Sequence, residues 1–306
     1  MSHETRVFAG FGGAAGETLR AALRRSLPAT ADWRTVPHAR FSVRAEDVVV
    51  TCYESGKVVV QGDALDSFLG RHLPSLATSA QSPGAGVLAM TGVTLGSDEA
   101  GKGDYFGPLV VVAACVRPEQ EERLRAAGVT DSKRLSDERA HLIAGLLERE
   151  VPFEVSQLMP EQYNQAYALA RNVNVLLADM HARALARLHA KCPEAELVLV
   201  DQFAAGPVLA RALARELPDH PPLQQITQGE RHVAVAAASI LARARFLDGL
   251  RQCDEMSGTD LHKGAGSPVD AAARRVVAIG GHALLGKVAK LHFKNTERAA
   301  PRRSDP

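Results

Sequence analysis

Apolar positions change their period along the chain, and each change marks an element. RVFAGF reads as a short strand, and GETLRAALRRSL carries its apolar residues at helical spacing. FSVRAEDVVVTCYESGKVVVQG alternates as β-meander strands do, with ESGK as a tight turn. DALDSFLGRHL follows as a helix with Asp63 as its N-cap. PSLATSAQSPGAG then loses periodicity and is rich in Pro, Ser, Gly and Ala, the composition of a flexible linker. The pattern predicts a small α+β domain over 1–73, a linker over 74–91 and a second domain over 92–306.

In the second domain, GVTLGSDEAGKGDYFGPLVVVAACV predicts strand, glycine-rich turn and strand. EERLRAAGV and SDERAHLIAGLLERE have helical spacing, FEVSQL reads as a strand, and EQYNQAYALA and NVNVLLADMHARALARLHA read as two helices. ELVLVDQFA is a buried strand by its short apolar run, and VLARALARELP is a further helix. PLQQITQG leads into HVAVAAASILARARFLDGLRQ, a long helix of small residues suited to close packing on a sheet. Strands interleaved with helices predict an α/β fold with helices on the faces of the sheet. The closing TERAAPRRSDP reads as a frayed end.

Composition narrows the function. The chain has 306 residues, 46% of them hydrophobic, enough for a substantial core. Lysine plus arginine number 36 against 35 aspartate plus glutamate, so no global basic field announces a nucleic-acid binder and any such contact must come from local patches. Cys52, Cys115, Cys192 and Cys253 are scattered without a CxxC pair, as free thiols of a reducing cytoplasm are. No export signal opens the chain, and no uncharged apolar run approaches the roughly 18 residues that span a bilayer, so a soluble cytoplasmic protein without membrane contact is expected.

The candidate chemistry lies in three acidic segments. GSDEAGKGDYFGP places Asp98 and Glu99 at the end of an apolar strand, just before Gly101 and Gly103. Adjacent strand residues face opposite ways, so the two acids serve one site only where the strand ends or bends; otherwise they are solvated turn residues. LVLVDQF ends a buried strand on Asp201, the position where open α/β sheets bind ligands and also an ordinary turn or cap position. In QGERHVAVAAASILAR, Glu230 precedes a helix, where an acid is also favoured by the helix amino end. Carboxylates without a histidine or cysteine cluster suit hard cations, Mg2+ or Mn2+, over zinc. Two such ions roughly 3.5 to 4 Å apart activate water and clamp a phosphodiester.

Taken in order, GSDEAGKGDYFGPLVVVA, TDSKRLSD, NVNVLLADMHARAL, LVDQF, ERHVAVAAASILAR, LHKGAG and KLHFKNTE resemble the motifs of bacterial ribonuclease HIII, a relative of ribonuclease HII. The resemblance covers nearly the whole chain. It implies a ribonuclease H-like mixed sheet with flanking helices, preceded by a small α+β domain resembling half of a TATA-box-binding protein and used to hold substrate. It implies an endonuclease that cuts the RNA strand of RNA/DNA hybrids by two-metal-ion catalysis, leaving a 5′-phosphate and a 3′-hydroxyl. The metal ligands fall on Asp98, Glu99, Asp201 and Glu230. Ribonuclease HII typically has aspartate at the Glu230 position, tyrosine at Ala265 and arginine at Lys102, so all three residues favour the HIII type.

Hybrids are read through the minor groove, where 2′-hydroxyls mark the RNA strand. Gly101, Lys102 and Gly103 are expected at that ribose, with Ser132, Lys133, His262 and Lys263 on phosphate. Ser136 also reads as a helix cap, with Asp137 and Glu138 in the first turn. The basic stretch GKVAKLHFKNTERAAPRR is either a further phosphate contact or a solvated face. Two other classes are weighed: a dinucleotide fingerprint at Gly10, Gly12 and Ala15, which lacks a following strand that ends in an acid, and a non-catalytic nucleic-acid binder. A monomer without nucleotide cofactor is expected. An enzyme of the HII type, excising embedded ribonucleotides, is the alternative.

Overall fold

The computed structural model describes residues 4–8, 11–62, 65–74, 90–130, 132–204 and 207–299. Asp63, the linker stretch 75–89, Gly10, Asp131 and the tail 300–306 lie outside the described residues. The chain divides into two compact units, Met1–Gly86 and Val87–Pro306.

The first unit runs β1 (Glu4–Phe8), α1 (Ala14–Ser26), β2 (Asp32–Arg34), β3 (Ala39–Ala45), β4 (Val48–Tyr53), β5 (Val58–Gly62) and α2 (Leu65–His72). Its strands form one antiparallel sheet in the order β1-β5-β4-β3-β2. Alternation sends Phe41, Val43, Val50, Cys52, Val58 and Val60 to one face, where Leu19, Leu23, Phe68 and Leu69 of the helices cover them. Ser42, Arg44, Thr51 and Gln61 fall on the other face. The ESGK turn closes with Tyr53 N–H donating to the Lys57 carbonyl at 2.8 Å, and Gly56 takes φ +79°. Strand β2 was not expected from the sequence; it is three residues long, and Trp33 is fixed there against Phe41, ring centroids 5.8 Å apart. β1 pairs antiparallel with β5, so the strand, glycine turn and helix at the start do not open the parallel βαβ unit that dinucleotide binding requires.

The second unit runs β6 (Thr94–Ala100), β7 (Leu109–Val116), α3 (Glu121–Ala126), α4 (Asp137–Glu150), β8 (Phe153–Leu158), α5 (Pro160–Ala170), α6 (Val173–Lys191), β9 (Leu197–Asp201), α7 (Val208–Glu216), β10 (Leu223–Ile226), α8 (Val233–Ser257), α9 (Ser267–Val288) and α10 (Asn295–Ala299). The sheet order is β10-β9-β6-β7-β8. β10, β9 and β6 are parallel, whereas β6, β7 and β8 are antiparallel, which makes the sheet mixed. Every residue of β7 is buried, Val110, Val112 and Ala114 in the core shared with α4, α8 and α9, and Leu109, Val111 and Ala113 in the core shared with α6 and α7. That double burial explains the unbroken apolar run in its sequence.

Small residues decide how α8 sits. A side chain on Gly96 of β6 would strike the backbone of Ala234, so strand and helix approach closely only because Gly96 has none. β10 and α9 were not read from the sequence. Gln224 and Gln225 interrupt the alternation of an edge strand, and α9 is kinked at Gly280 and Gly281, where φ is −140° and +64°.

Gly96→Ala should destabilise the protein by about 2–3 kcal/mol, the scale of overpacking a tight contact. Gly145→Ala, in α4 with open space around the added methyl, should stabilise by about 0.5–1 kcal/mol. Urea melts of the two variants check both signs.

Candidate active site

Pairing between β6 and β9 ends at Ser97 and Val200. The next residues, Asp98 on one strand and Asp201 on the other, therefore emerge side by side past the end of the parallel pair, the place where α/β sheets bind ligands. β6 stays paired to β7 through both acids, Asp98 opposite Val112 and Glu99 opposite Val111. Their side chains leave opposite faces, as adjacent strand positions require: Asp98 meets Ser239 of α8, and Glu99 meets His181 of α6. Both still line one cavity of about 490 Å3, because β6 stops at Ala100 and the chain turns at Gly101. Gly101 has φ +89°, and a side chain there would press on Pro108 and on the Phe246 ring, 2.9 Å from the added carbon.

The negative charges are crowded. Burial first, and then the charge of Glu99, push the Asp98 carboxyl up to about 7; Asp201 adds to the rise, while Ser239 and the Glu99 amide, 2.8 Å from Oδ1, oppose it. Asp201 Oδ1 accepts the Gly229 N–H at 2.9 Å, which ties β9 to the single-turn helix Gly229–Arg231. Glu230 sits on that turn, immediately after the tie. His232 caps α8 by accepting the Ala234 N–H, so Glu230 precedes the helix and lies outside its first turn.

Cations occupy the opposite rim. Lys263 Nζ and Arg243 Nη2 each donate to Asp137 at 2.6 Å and hold its carboxyl below the usual carboxylate range, Lys263 foremost. Arg243 also donates to the Ser132 carbonyl. Asp104 Oδ1 accepts the Gly264 N–H at 2.6 Å and the Tyr105 N–H donates to the Gly264 carbonyl at 2.9 Å, so the loop bearing Lys263 is bound to the glycine turn.

Comparison with known proteins decides the family. A family model described as Ribonuclease HII matches residues 95–296, and one described as a domain of unknown function, DUF3378, matches 17–82. The chain is 38% identical over 270 residues to ribonuclease HIII of Exiguobacterium sibiricum, covering 86% of this chain and 88% of that one. It is 38% identical to ribonuclease HIII of Geobacillus kaustophilus, with 85% and 88% covered. The chain belongs to the ribonuclease HIII family. The crystal structure of Bst-RNase HIII in complex with Mn2+ is similar at a TM-score of 0.65 and 33% identity over 97% of this chain and 98% of that one. The ribonuclease HIII fold, a mixed sheet with flanking helices after a small sheet unit, is thus the fold found here.

The cavity gathers Asp98, Glu99, Asp201, Gly101, Lys102, Gly103, Ser132, Lys133 and Lys263 of the residues expected from the sequence. Glu230 and His262 are not among its lining residues; His262 is exposed beside Lys263, and Glu230 stands on the neighbouring turn. Ser132 is buried and its hydroxyl pairs with Ser239 at 2.8 Å, so that hydroxyl is a strut between the 132–134 turn and α8. Lys102 Nζ donates to the Phe203 carbonyl at 2.9 Å. Ser136 does cap α4, accepting the Arg139 N–H at 3.2 Å. The basic carboxyl stretch divides: Lys290 is fully buried and donates to the Phe106, Gly107 and Pro108 carbonyls, while Arg298 pairs with Asp270. Lys290 is therefore a prop beneath the glycine turn and no phosphate contact.

Sequence reasoning missed Ser239, Arg243 and Phe246, which line the cavity at helical spacing i, i+4 and i+7. That spacing was readable on α8. His181 and Asp104 left no comparable signal, because their partners are remote in sequence.

The pH dependence follows from Asp98. Its folded-state carboxyl is raised to about 7 from 3.8, so in the metal-free protein the native state holds the extra proton between these values and stability falls as pH rises through 7. Asp98→Asn removes that loss. In EDTA at pH 8 the variant should be more stable than the parent by on the order of 2 kcal/mol, with the gap closing toward pH 4. Urea melts across that range measure it, and identical pH profiles would refute the assignment.

Proposed function

We propose that this chain is an endoribonuclease that hydrolyses the RNA strand of RNA/DNA hybrids, with Asp98, Glu99, Asp201 and Glu230 holding divalent cations. The observation that carries the reading is the convergence of three carboxylates past the end of the β6–β9 pair, facing a cavity floored by a glycine turn. The donor set fits hard cations. It is all oxygen, and the crowding that pushes Asp98 up is relieved by positive charge placed between the acids. Among the described residues no three His, Cys, Asp or Glu side chains form a ready-made metal cage.

When bound, a pair of divalent cations activates a water and stabilises the leaving oxygen of an in-line displacement. The chain's own groups do the rest. Asp98 and Asp201, side by side on adjacent strand ends, fix the position of positive charge relative to the sheet. The open backbone at Gly103, which has nothing within 4 Å of an added side chain, lets a ribose approach. Lys133, Arg243 and Lys263 give the rim a positive edge suited to phosphate. In the amino-terminal unit, exposed Arg44 and Gln61 on the sheet face turned away from the helices support a role in holding the hybrid. Four free, buried thiols suit the cytoplasm, and among the described residues no helix is long and apolar enough to cross a membrane.

Glu230, Ala265 and Lys102 stand where ribonuclease HII has aspartate, tyrosine and arginine, which favours runs of ribonucleotides over a single embedded one.

Purified protein should cut a uniform RNA/DNA hybrid with Mg2+ or Mn2+, and excess EDTA should abolish cleavage. Asp98→Asn should lower kcat by more than about a hundredfold, exceeding the loss typical of a metal ligand's outer partner, while hybrid binding persists. Full activity in EDTA would refute the metal reading. On a duplex with one embedded ribonucleotide, cleavage should be much slower than on the hybrid; selective cutting at a lone ribonucleotide would move the chain to the HII type.

A further inference from the structure

Glu99 is held from the side of the sheet opposite to Asp98. His181 of α6 is fully buried, with Nε2 3.3 Å from Glu99 Oε2 and Nδ1 2.7 Å from Ser97 Oγ. Ser97 is also fully buried, its hydroxyl oxygen 2.9 Å from the Val112 carbonyl. The contact to Nδ1 is the shorter of the two, and with the hydroxyl hydrogen turned to Nδ1 that nitrogen accepts, so Nε2 carries the ring hydrogen that meets Glu99 Oε2. This fixes which edge of the imidazole faces Ser97, and therefore which edge faces Glu99. Phe203, two residues beyond Asp201, fixes the ring plane: the two rings stack 4.8 Å apart at 4°. Lys102 closes the arrangement, donating to the Phe203 carbonyl at 2.9 Å and standing 3.9 Å from Glu99 Oε1.

The surroundings of His181 are otherwise the apolar core of α6, where a polar ring is costly unless its nitrogens are satisfied. An aromatic hydrocarbon would fill the same space and stack on Phe203 equally well. What it could not do is connect Ser97 to Glu99.

We propose that His181 is a positioning residue for the metal site: held by Ser97, it aims the Glu99 carboxylate into the cavity from the α6 side. The inference rests on the divalent-cation reading of the site given above. Partners that orient a metal-ligating carboxylate typically control affinity about 10–100-fold.

The full chain, its His181→Phe, His181→Gln and Ser97→Ala variants are titrated with Mn2+, free ion being followed by electron paramagnetic resonance. Urea melts in EDTA and the Mg2+ dependence of hybrid cleavage accompany each titration. His181→Phe should weaken Mn2+ binding about tenfold or more. It should raise the Mg2+ concentration for half-maximal cleavage and leave the urea midpoint near that of the parent. His181→Gln, whose amide can donate to Glu99 from the Nε2 position, should restore most of the affinity, and Ser97→Ala should show a smaller loss than His181→Phe. Unchanged Mn2+ affinity in His181→Phe, or a loss of stability without loss of affinity, overturns the proposal. Where His181→Phe does not fold, Ser97→Ala decides: affinity equal to the parent's overturns it. Failure of the unsubstituted chain to bind Mn2+ overturns the metal reading itself, and is distinguishable because it precedes any substitution.

Discussion

The contact between Gly96 of β6 and the backbone of Ala234 sets the register of everything around the cavity. With no side chain at Gly96, α8 lies directly on the strand that carries Asp98. The alanines that follow Ala234 keep the interface thin, and Ser239 arrives at the height of Asp98. One turn on, Arg243 reaches the Ser132 carbonyl and Asp137, and Phe246 packs under Gly101. A bulkier residue at Gly96 would lift the helix and separate Asp98 from Ser239, the turn 132–134 from Ser239, and the glycine turn from its floor. The small-residue character of α8 is thus a condition of the site as well as of the core.

Charge is arranged around that contact by separation. The chain is nearly neutral in sum, with 36 basic against 35 acidic residues, yet the cavity has an acidic end and a basic rim. The acids sit at strand ends, where the sheet stops pairing and leaves room. The basic side chains come from a turn, a helix and a loop, and each is anchored: Lys102 to Phe203, Arg243 and Lys263 to Asp137. Asp137 belongs to the first turn of α4, where an acid is already favoured by the helix dipole. The same residue therefore starts a helix and spaces two cations, and the helix-start reading of TDSKRLSD holds.

How much of this could be read from the sequence depended on the range of the interaction concerned. Local periodicity matched FEVSQL, LVLVD and the helices from 137 to 216 nearly to the residue, and α8 short of its last turn, because each buries a face that its own spacing reveals. The acids at strand ends were legible for the same reason. β10 escaped, since Gln224 and Gln225 break the alternation on an edge strand, and α9 escaped because two glycines divide it. The buried state of Lys290 was hidden too. A lysine in a basic stretch looks solvated, and only the fold brings the Phe106, Gly107 and Pro108 carbonyls around it.

The pair Asp98 and Glu99 shows most plainly what periodicity leaves out. Two adjacent acids on a paired strand must leave opposite faces, and they do, one toward α8 and one toward α6. They act together because the strand ends, but they are supported apart: Asp98 by Ser239, rooted in the core of α8, and Glu99 by His181, rooted in the core of α6. The site is therefore assembled from both layers that flank the sheet. A change in packing on either side would tilt one carboxylate relative to the other, though neither core residue need touch the cavity. Ser97 and His181 are 84 positions apart, and nothing in the spacing of either segment links them. Only the folded sheet, with Ser97 on the same face as Glu99, toward α6, makes a helix-core histidine part of the acidic end.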